Sequence, residues 1–422
     1  MTAIRFPALP IVTLLLAGAG LLHGGAGRAA EAGHAHHGGE RKGTYAALSP
    51  VSCDRTILEC ANAATPFLDR DGTLWLAWNA GGQVSVARSG DGGRTFSEAV
   101  PVGERTDMLD VGPDARPALT VDAEGRVTVV FSRFKDEDWN AEVLVARSED
   151  GGRSFPAPAP VAGGPASQRF GGILADDAGN LYLAWIDKRN VAARKAAGAA
   201  QPGAALAVAR LAEGGARVAF ARIAQDPTCE CCRIAMALTP DQRPVLLFRG
   251  IFDDRDRDHA VLTFLDRDTP GPARRVSDDA WAIDGCPHHG PALAVSSTGT
   301  QHAAWFTQGQ ARQGLYYARS IDEGRQFSPP MPVGDARRQA GRPALLAIGE
   351  TVWLVWKETD GARSAVHGMM SRDDGRSWSP PRRLATTTGY SDHPMLIGDG
   401  AGGFLSWLSH ADGYRLIPLE GR

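Results

Sequence analysis

Beyond residue 60 the chain is written in short apolar runs separated by Gly, Asp and Pro, and the i, i+3, i+4 spacing of amphipathic helices is scarce. One unit recurs. It steps into an apolar stretch, passes a Gly- or Asp-containing turn, and closes in an apolar run ending in Trp or Phe. The copies are TPFLDRDGTLWLAW (65–78), RPALTVDAEGRVTVVF (116–131), GGILADDAGNLYLAW (171–185), CRIAMALTPDQRPVLLF (232–248), GPALAVSSTGTQHAAW (290–305), RPALLAIGETVWLVW (342–356) and HPMLIGDGAGGFLSW (393–407). Each reads as a two-stranded hairpin, because turns such as DRDG, DAEG and DDAGN carry the residues a tight reversal needs. A third strand follows, as in QVSVARS (83–89) or GLYYARS (314–320), and then a short fourth, as in EAVPVG (98–103). Four antiparallel strands repeated about every fifty residues predict an all-β fold, a β-propeller. Seven entries favour seven blades, with six as the alternative. The last unit runs out at YRLIPLEGR (414–422) without a fourth strand, and TYAALSPVS (44–52) is expected to supply it and close the ring.

A second motif falls between third and fourth strands four times: SGDGGRTF (89–96), SEDGGRSF (148–155), SIDEGRQF (320–327) and SRDDGRSW (371–378). Asp91, Asp150, Asp322 and Asp373 are expected to accept backbone N–H bonds inside these turns, the glycines to allow left-handed backbone, and the closing Phe or Trp to pack between blades. Four copies at one place in the repeat resemble the Asp-box (BNR) repeats of the sialidase superfamily. The resemblance spans nearly all of 48–422. It implies a propeller, usually six-bladed in the enzymes. It also implies a sugar-carboxylate clamp of arginines, a Tyr nucleophile with a Glu partner, and an Asp acid/base. By that resemblance Tyr390 in TGYSDHPML (388–396) maps to the nucleophile, and Asp114, Asp284 and Asp392 are alternative acids. Arg116 and Arg342 sit in arginine-bearing entries, and Arg169, ahead of the third unit, completes the candidate substrate-binding set. Glu358 is the candidate partner of Tyr390. The first entry, ATPFL, lacks an arginine.

Strand parity assigns faces. In a four-stranded meander the first and third turns share one face; the second turn and the link to the next blade share the other. The Asp boxes therefore lie opposite the links and are read as structural. The links carry Cys53 and Cys60, Asp114 and Arg116, Arg169, Cys229, Cys231 and Cys232, Cys286, His288 and His289, Arg342, and Tyr390, Asp392 and His393. All six cysteines fall on that one rim, together with two long charged second turns (132–140 and 249–259).

Composition narrows the setting. The 422 residues carry a net charge of −3 and no long basic run, which excludes nucleic acid and anionic membrane surfaces as expected partners. Residues 1–32 read as a signal peptide, 33–47 as a Gly/His-rich leader, and 48–422 as the propeller. Export, periplasmic or secreted, makes disulfides available: Cys53–Cys60 locally, and some pairing among Cys229, Cys231, Cys232 and Cys286. The same residues support a metal reading. Cys229, Cys231, Cys232, Cys286, His288, His289 and His393 supply sulfur and imidazole ligands suited to copper or zinc. Three functions follow. Metal-associated ligand binding at the rim is placed first, sialidase-type glycoside hydrolysis second, and non-catalytic binding of a glycan or protein third, by a chain expected to be a monomer with no membrane span once the signal is removed.

Overall fold

The computed structural model describes residues 53–212, 217–230, 232–283, 285 and 287–420. The signal peptide, the leader and the expected closing strand at 44–52 lie outside the described residues.

Seven antiparallel sheets follow one another along the chain, each a meander in sequence order. Blade 1 comprises Ala64–Leu68, Leu74–Ala80, Gln83–Ser89 and Val100–Val102; blade 2 comprises Ala118–Val121, Val127–Phe134, Ala141–Ser148 and Ala159–Pro160. Blades 3 to 6 begin at Gln168–Ala175, Ala235–Leu238, Ala292–Val295 and Gly341–Ile348 and have four strands each. Blade 7 shows three: Met395–Gly398, Gly403–Ser409 and Gly413–Pro418. The architecture is the seven-bladed propeller, and the six-bladed alternative is set aside. One element was not anticipated. A short helix, Val191–Ala196, occupies the second turn of blade 3, where the Ala-rich VAARKA has good helix propensity.

The closing aromatic of each unit explains the packing. Trp78, Phe131, Trp185, Phe248, Trp305, Trp356 and Trp407 are all buried between blades. Their indole N–H groups find acceptors, as a buried indole must. Trp305 donates to Asp279 at 2.7 Å, Trp356 to Glu358 at 2.8 Å, and Trp407 to the Asp392 carbonyl at 2.9 Å. Truncating one to Ala would cost about 3–5 kcal/mol.

The four S-x-D turns share one hydrogen-bond pattern. In blade 1 the Ser89 hydroxyl donates to Asp91 Oδ1 (2.7 Å) and accepts from Gly93 N (2.8 Å), and Asp91 accepts from Thr95 N and Oγ1 at 2.9 and 2.6 Å. Asp150, Asp322 and Asp373 repeat it with Ser148, Ser320 and Ser371. Bonds from Thr95, Ser154 and Ser377 hold Asp91, Asp150 and Asp373 well below the usual carboxylate range. Each turn presses a glycine onto the preceding blade. A Cβ at Gly152 would lie 2.7 Å from Trp75, at Gly324 2.7 Å from Val261, and at Gly375 2.1 Å from the Tyr317 hydroxyl. Phe96 meets Tyr414 edge-on at 5.6 Å, which joins blade 1 to blade 7. These turns are inter-blade staples, on the face parity assigns them.

Candidate functional site at the channel mouth

The inner strands of all seven blades surround a central cavity of about 710 Å³. Its mouth on the link face is shaped by one repeated position, the residue at the step into each inner strand. Blades 2 to 4 place Arg116, Phe170 and Arg233 there in the cavity wall, and blades 5 to 7 have Gly290, Arg342 and His393 at the matching position in sequence. Arg342 joins the two wall arginines through Asp114, which also lines the cavity.

They are not equivalent. Arg116 is engaged within the protein: its η nitrogens lie 2.5 and 3.1 Å from the two oxygens of Asp392, and Nε donates to the Pro113 carbonyl at 2.8 Å. Asp392 also accepts from Ala64 N (3.0 Å) and His393 N (2.6 Å). The pair is almost fully buried and ties blades 2, 1 and 7 together. Arg169 is likewise engaged, with Nε and Nη2 each 2.7 Å from Asp110. Of the candidate site residues, Arg116 and Arg169 are thus each held bidentately by a carboxylate, and Asp392 by Arg116.

Arg233 and Arg342 are different. Asp114 lies between them, with Oδ1 3.9 Å from Arg233 Nε and Oδ2 3.4 Å from Arg342 Nη1. Arg233 also donates to the Pro343 carbonyl at 3.0 Å, and Arg342 to the His288 carbonyl. His393 Nδ1 lies 3.9 Å from the same Asp114 oxygen. Asp114 Oδ1, His393 Nδ1, His289 Nδ1 and the Tyr390 hydroxyl are buried, with no hydrogen-bond partner among the described residues. Such atoms are costly unless something completes them.

The charge balance has a sign. Among the described residues, Arg116, Arg233, Arg342 and Lys357 have Asp114 and Asp392 as their carboxylate neighbours. Burial pushes Lys357 down to about 8, with Asp392 opposing the shift. Burial, then Arg342, Arg233, Arg116 and Lys357, hold His393 well below its ordinary value; burial and Arg342 do the same to His289. Burial also lowers Arg233, against the pull of Asp114, yet a guanidinium keeps its charge. The mouth therefore holds neutral imidazoles in a cationic surround.

The remaining candidates fall as follows. Tyr390 packs edge-on against His410 at 5.3 Å, and burial raises its phenol. Glu358 is no partner for it, being bonded to Trp356 Nε1 and, at 3.0 Å, to Asp335 N. His288 has φ +47°, so the alternation of extended backbone does not apply to His288–His289; His289 stacks on Phe306 at 4.1 Å. Cys53 and Cys60 form a disulfide with Cα atoms 5.4 Å apart, as expected. Cys229 and Cys232 are buried in the apolar cluster with Ile234 and Phe248, and Arg257 reaches the Cys229 sulfur at 3.8 Å. Cys231, Asp284 and Cys286 lie outside the described residues. Among the described residues no three His, Cys, Asp or Glu side chains assemble as a metal-ligand group. Sequence reading does not single out Arg233, because the conspicuous CECC just ahead of it draws the rim position. The signal was present: R-I-A-M at 233–236 aligns with the R-P-A-L steps at Arg116 and Arg342.

No family model matches this chain, and no curated protein matches it. Solved structures of the same fold do. A polysaccharide lyase of family PL25, an ulvan lyase bound to -[GlcA(1-4)Rha3S]-, is 9% identical over 87% of this chain and 93% of its own, with a TM-score of 0.53. Polysaccharide lyase Uly1 gives 9%, 85%, 90% and 0.53. The Hadza microbial sialidase Hz136 is 15% identical over 82% of this chain and 76% of its own, with a TM-score of 0.46. The likeness is one of fold.

Proposed function

We propose that the channel mouth binds a saccharide carrying a carboxylate. The observation that supports this most directly is the group at Asp114. Two incompletely engaged guanidinium groups flank it, in a buried setting where the described residues give four cations to two carboxylates and several unpartnered polar atoms. A sugar carboxylate is the planar anion that Arg233 and Arg342 suit. The free oxygen of Asp114 and the imidazole of His393 then serve the sugar hydroxyls. The fold shared with an ulvan lyase makes a uronate the first ligand to try. Membership of the Asp-box group is the reading the four S-x-D turns support.

The test is calorimetric titration with a uronate oligosaccharide against its neutral counterpart. Arg233→Ala and Arg342→Ala are each expected to weaken uronate binding at least about tenfold, from the loss of about 1.5–3 kcal/mol in charged hydrogen bonds. Equal affinity for the neutral sugar, or unchanged affinity in both variants, refutes the proposal.

Sialidase-type hydrolysis is the second reading, favoured by the buried, unpartnered Tyr390 hydroxyl beside these charges. Among the described residues no carboxylate is hydrogen-bonded to that phenol to activate it. Asp114 is the acid it would use, since Asp392 is paired. Release of fluorophore from a sialoside, abolished by Tyr390→Phe, would promote it. Copper or zinc at the rim ranks last, because the cationic surround of His289 and His393 repels a metal cation. Metal analysis and a thiol count on the purified protein test that, and N-terminal sequencing of the purified protein tests cleavage at the proposed signal.

A further inference from the structure

A row of rings leads away from the mouth. Phe170, at the channel, lies 6.5 Å from the His288 ring. The Arg169 guanidinium lies over Phe170 at 4.7 Å and over Phe134 at 5.5 Å. Phe134 meets Trp139 edge-on at 5.0 Å. The indole of Trp139 then stands 57% exposed. This is a built presentation. Trp139 takes φ +60° in a turn anchored by Asp136, whose oxygens accept from Asn140 N and Nδ2 at 2.9 Å. Lys135 Nζ fastens the turn to the next link through the Gly164 and Ala166 carbonyls, both at 2.8 Å. Val111, 60% exposed, follows Asp110, the carboxylate that fixes Arg169. The other large apolar side chains that stand well exposed, Val218, Leu265 and Ile321, lie at or beside third turns, on the opposite face.

A bulky non-glycine residue in the left-handed region is uncommon. A flat indole suits the C–H face of a pyranose ring, with its N–H left free for a hydroxyl. We infer that Trp139, with Val111, forms an outer subsite for a further residue of the same acidic saccharide, so that the ligand is an oligo- or polysaccharide lying across blades 2 and 3. This rests on the reading of the channel mouth as the carboxylate site. Packing from Phe170 through Arg169 and Phe134 ties Trp139 to the mouth.

Affinity is measured against a ladder of uronate oligosaccharides, from the monosaccharide upward. Wild-type affinity is expected to rise with length. Trp139→Ala is expected to remove about tenfold of the long-chain affinity and leave the monosaccharide unchanged, whereas Arg233→Ala weakens both. Trp139→Phe should retain most of the gain, and an unchanged thermal midpoint shows that the exposed site, not the fold, was altered. Affinity independent of length, or long-chain affinity intact in Trp139→Ala, overturns the outer subsite and leaves the mouth standing. Failure of every uronate to bind wild type overturns both.

Discussion

Gly290 offers a way to perturb the mouth without deleting a charge. It occupies, in blade 5, the position that blades 2, 4 and 6 give to arginine. A Cβ there would lie 2.1 Å from Cγ of Arg233 and 2.9 Å from its Cδ and Nε. Gly290 is not in the left-handed region, so alanine suits its backbone and the effect is steric. The nearest atom belongs to the stem of Arg233, and restoring ordinary contact requires the side chain to move by more than 1 Å. Arg233 is already 3.9 Å from Asp114, and a shift of that size breaks its reach toward a shared ligand. Overpacking should cost about 1–3 kcal/mol of stability. Binding should lose about 1.5–3 kcal/mol, or about 10- to 150-fold. The assay is calorimetric titration of Gly290→Ala, Arg233→Ala and the double variant with one uronate oligosaccharide. The double variant should bind no more weakly than Arg233→Ala, because both act through one guanidinium. Wild-type binding in Gly290→Ala, or losses that add in the double variant, would refute the argument.

Lys357 gives the site a pH dependence. The unfolded chain keeps this proton to about 10.5 and the folded chain releases it near 8, so stability should rise between those values. In the folded protein the charge is lost around pH 8, and that loss should weaken anion binding; a flat affinity profile between pH 7 and 10 would show that Lys357 does not contribute. Gly375→Ala places a Cβ 2.1 Å from the Tyr317 hydroxyl at φ +77°, and should destabilise the blade 5–6 junction by about 2–4 kcal/mol in denaturant unfolding. Replacing Cys53 and Cys60 by serine opens a short loop and should cost about 2 kcal/mol, read as a lower thermal midpoint that matches reduced wild type.

The blades were legible because strand patterning is local. Each hairpin shows its apolar runs, its Gly- or Asp-containing turn and its closing aromatic within about fifteen residues. The S-x-D turns were legible for the same reason, since Ser, Asp, Gly and the hydroxyl that bonds the Asp all lie within seven residues. Parity alone carried the next step, the expectation that Tyr390, Arg116, Arg342 and His393 share the link face.

The sequence by itself therefore determined the repeat, the face that carries the chemistry-bearing residues, and the local disulfide. Tertiary structure decided which of those residues remain available. Arg116 and Asp392 are 276 positions apart, and nothing in either segment shows that they neutralise one another. Arg169 meets Asp110 in the same way, and Glu358 is taken by the indole of its own blade. Closure of the ring brings blades 2, 4, 6 and 7 to one opening, so that Asp114 lies between Arg233 and Arg342. Pattern along a chain reports which face a side chain occupies. Whether its charge is already satisfied depends on partners that only the closed ring brings within a few ångströms.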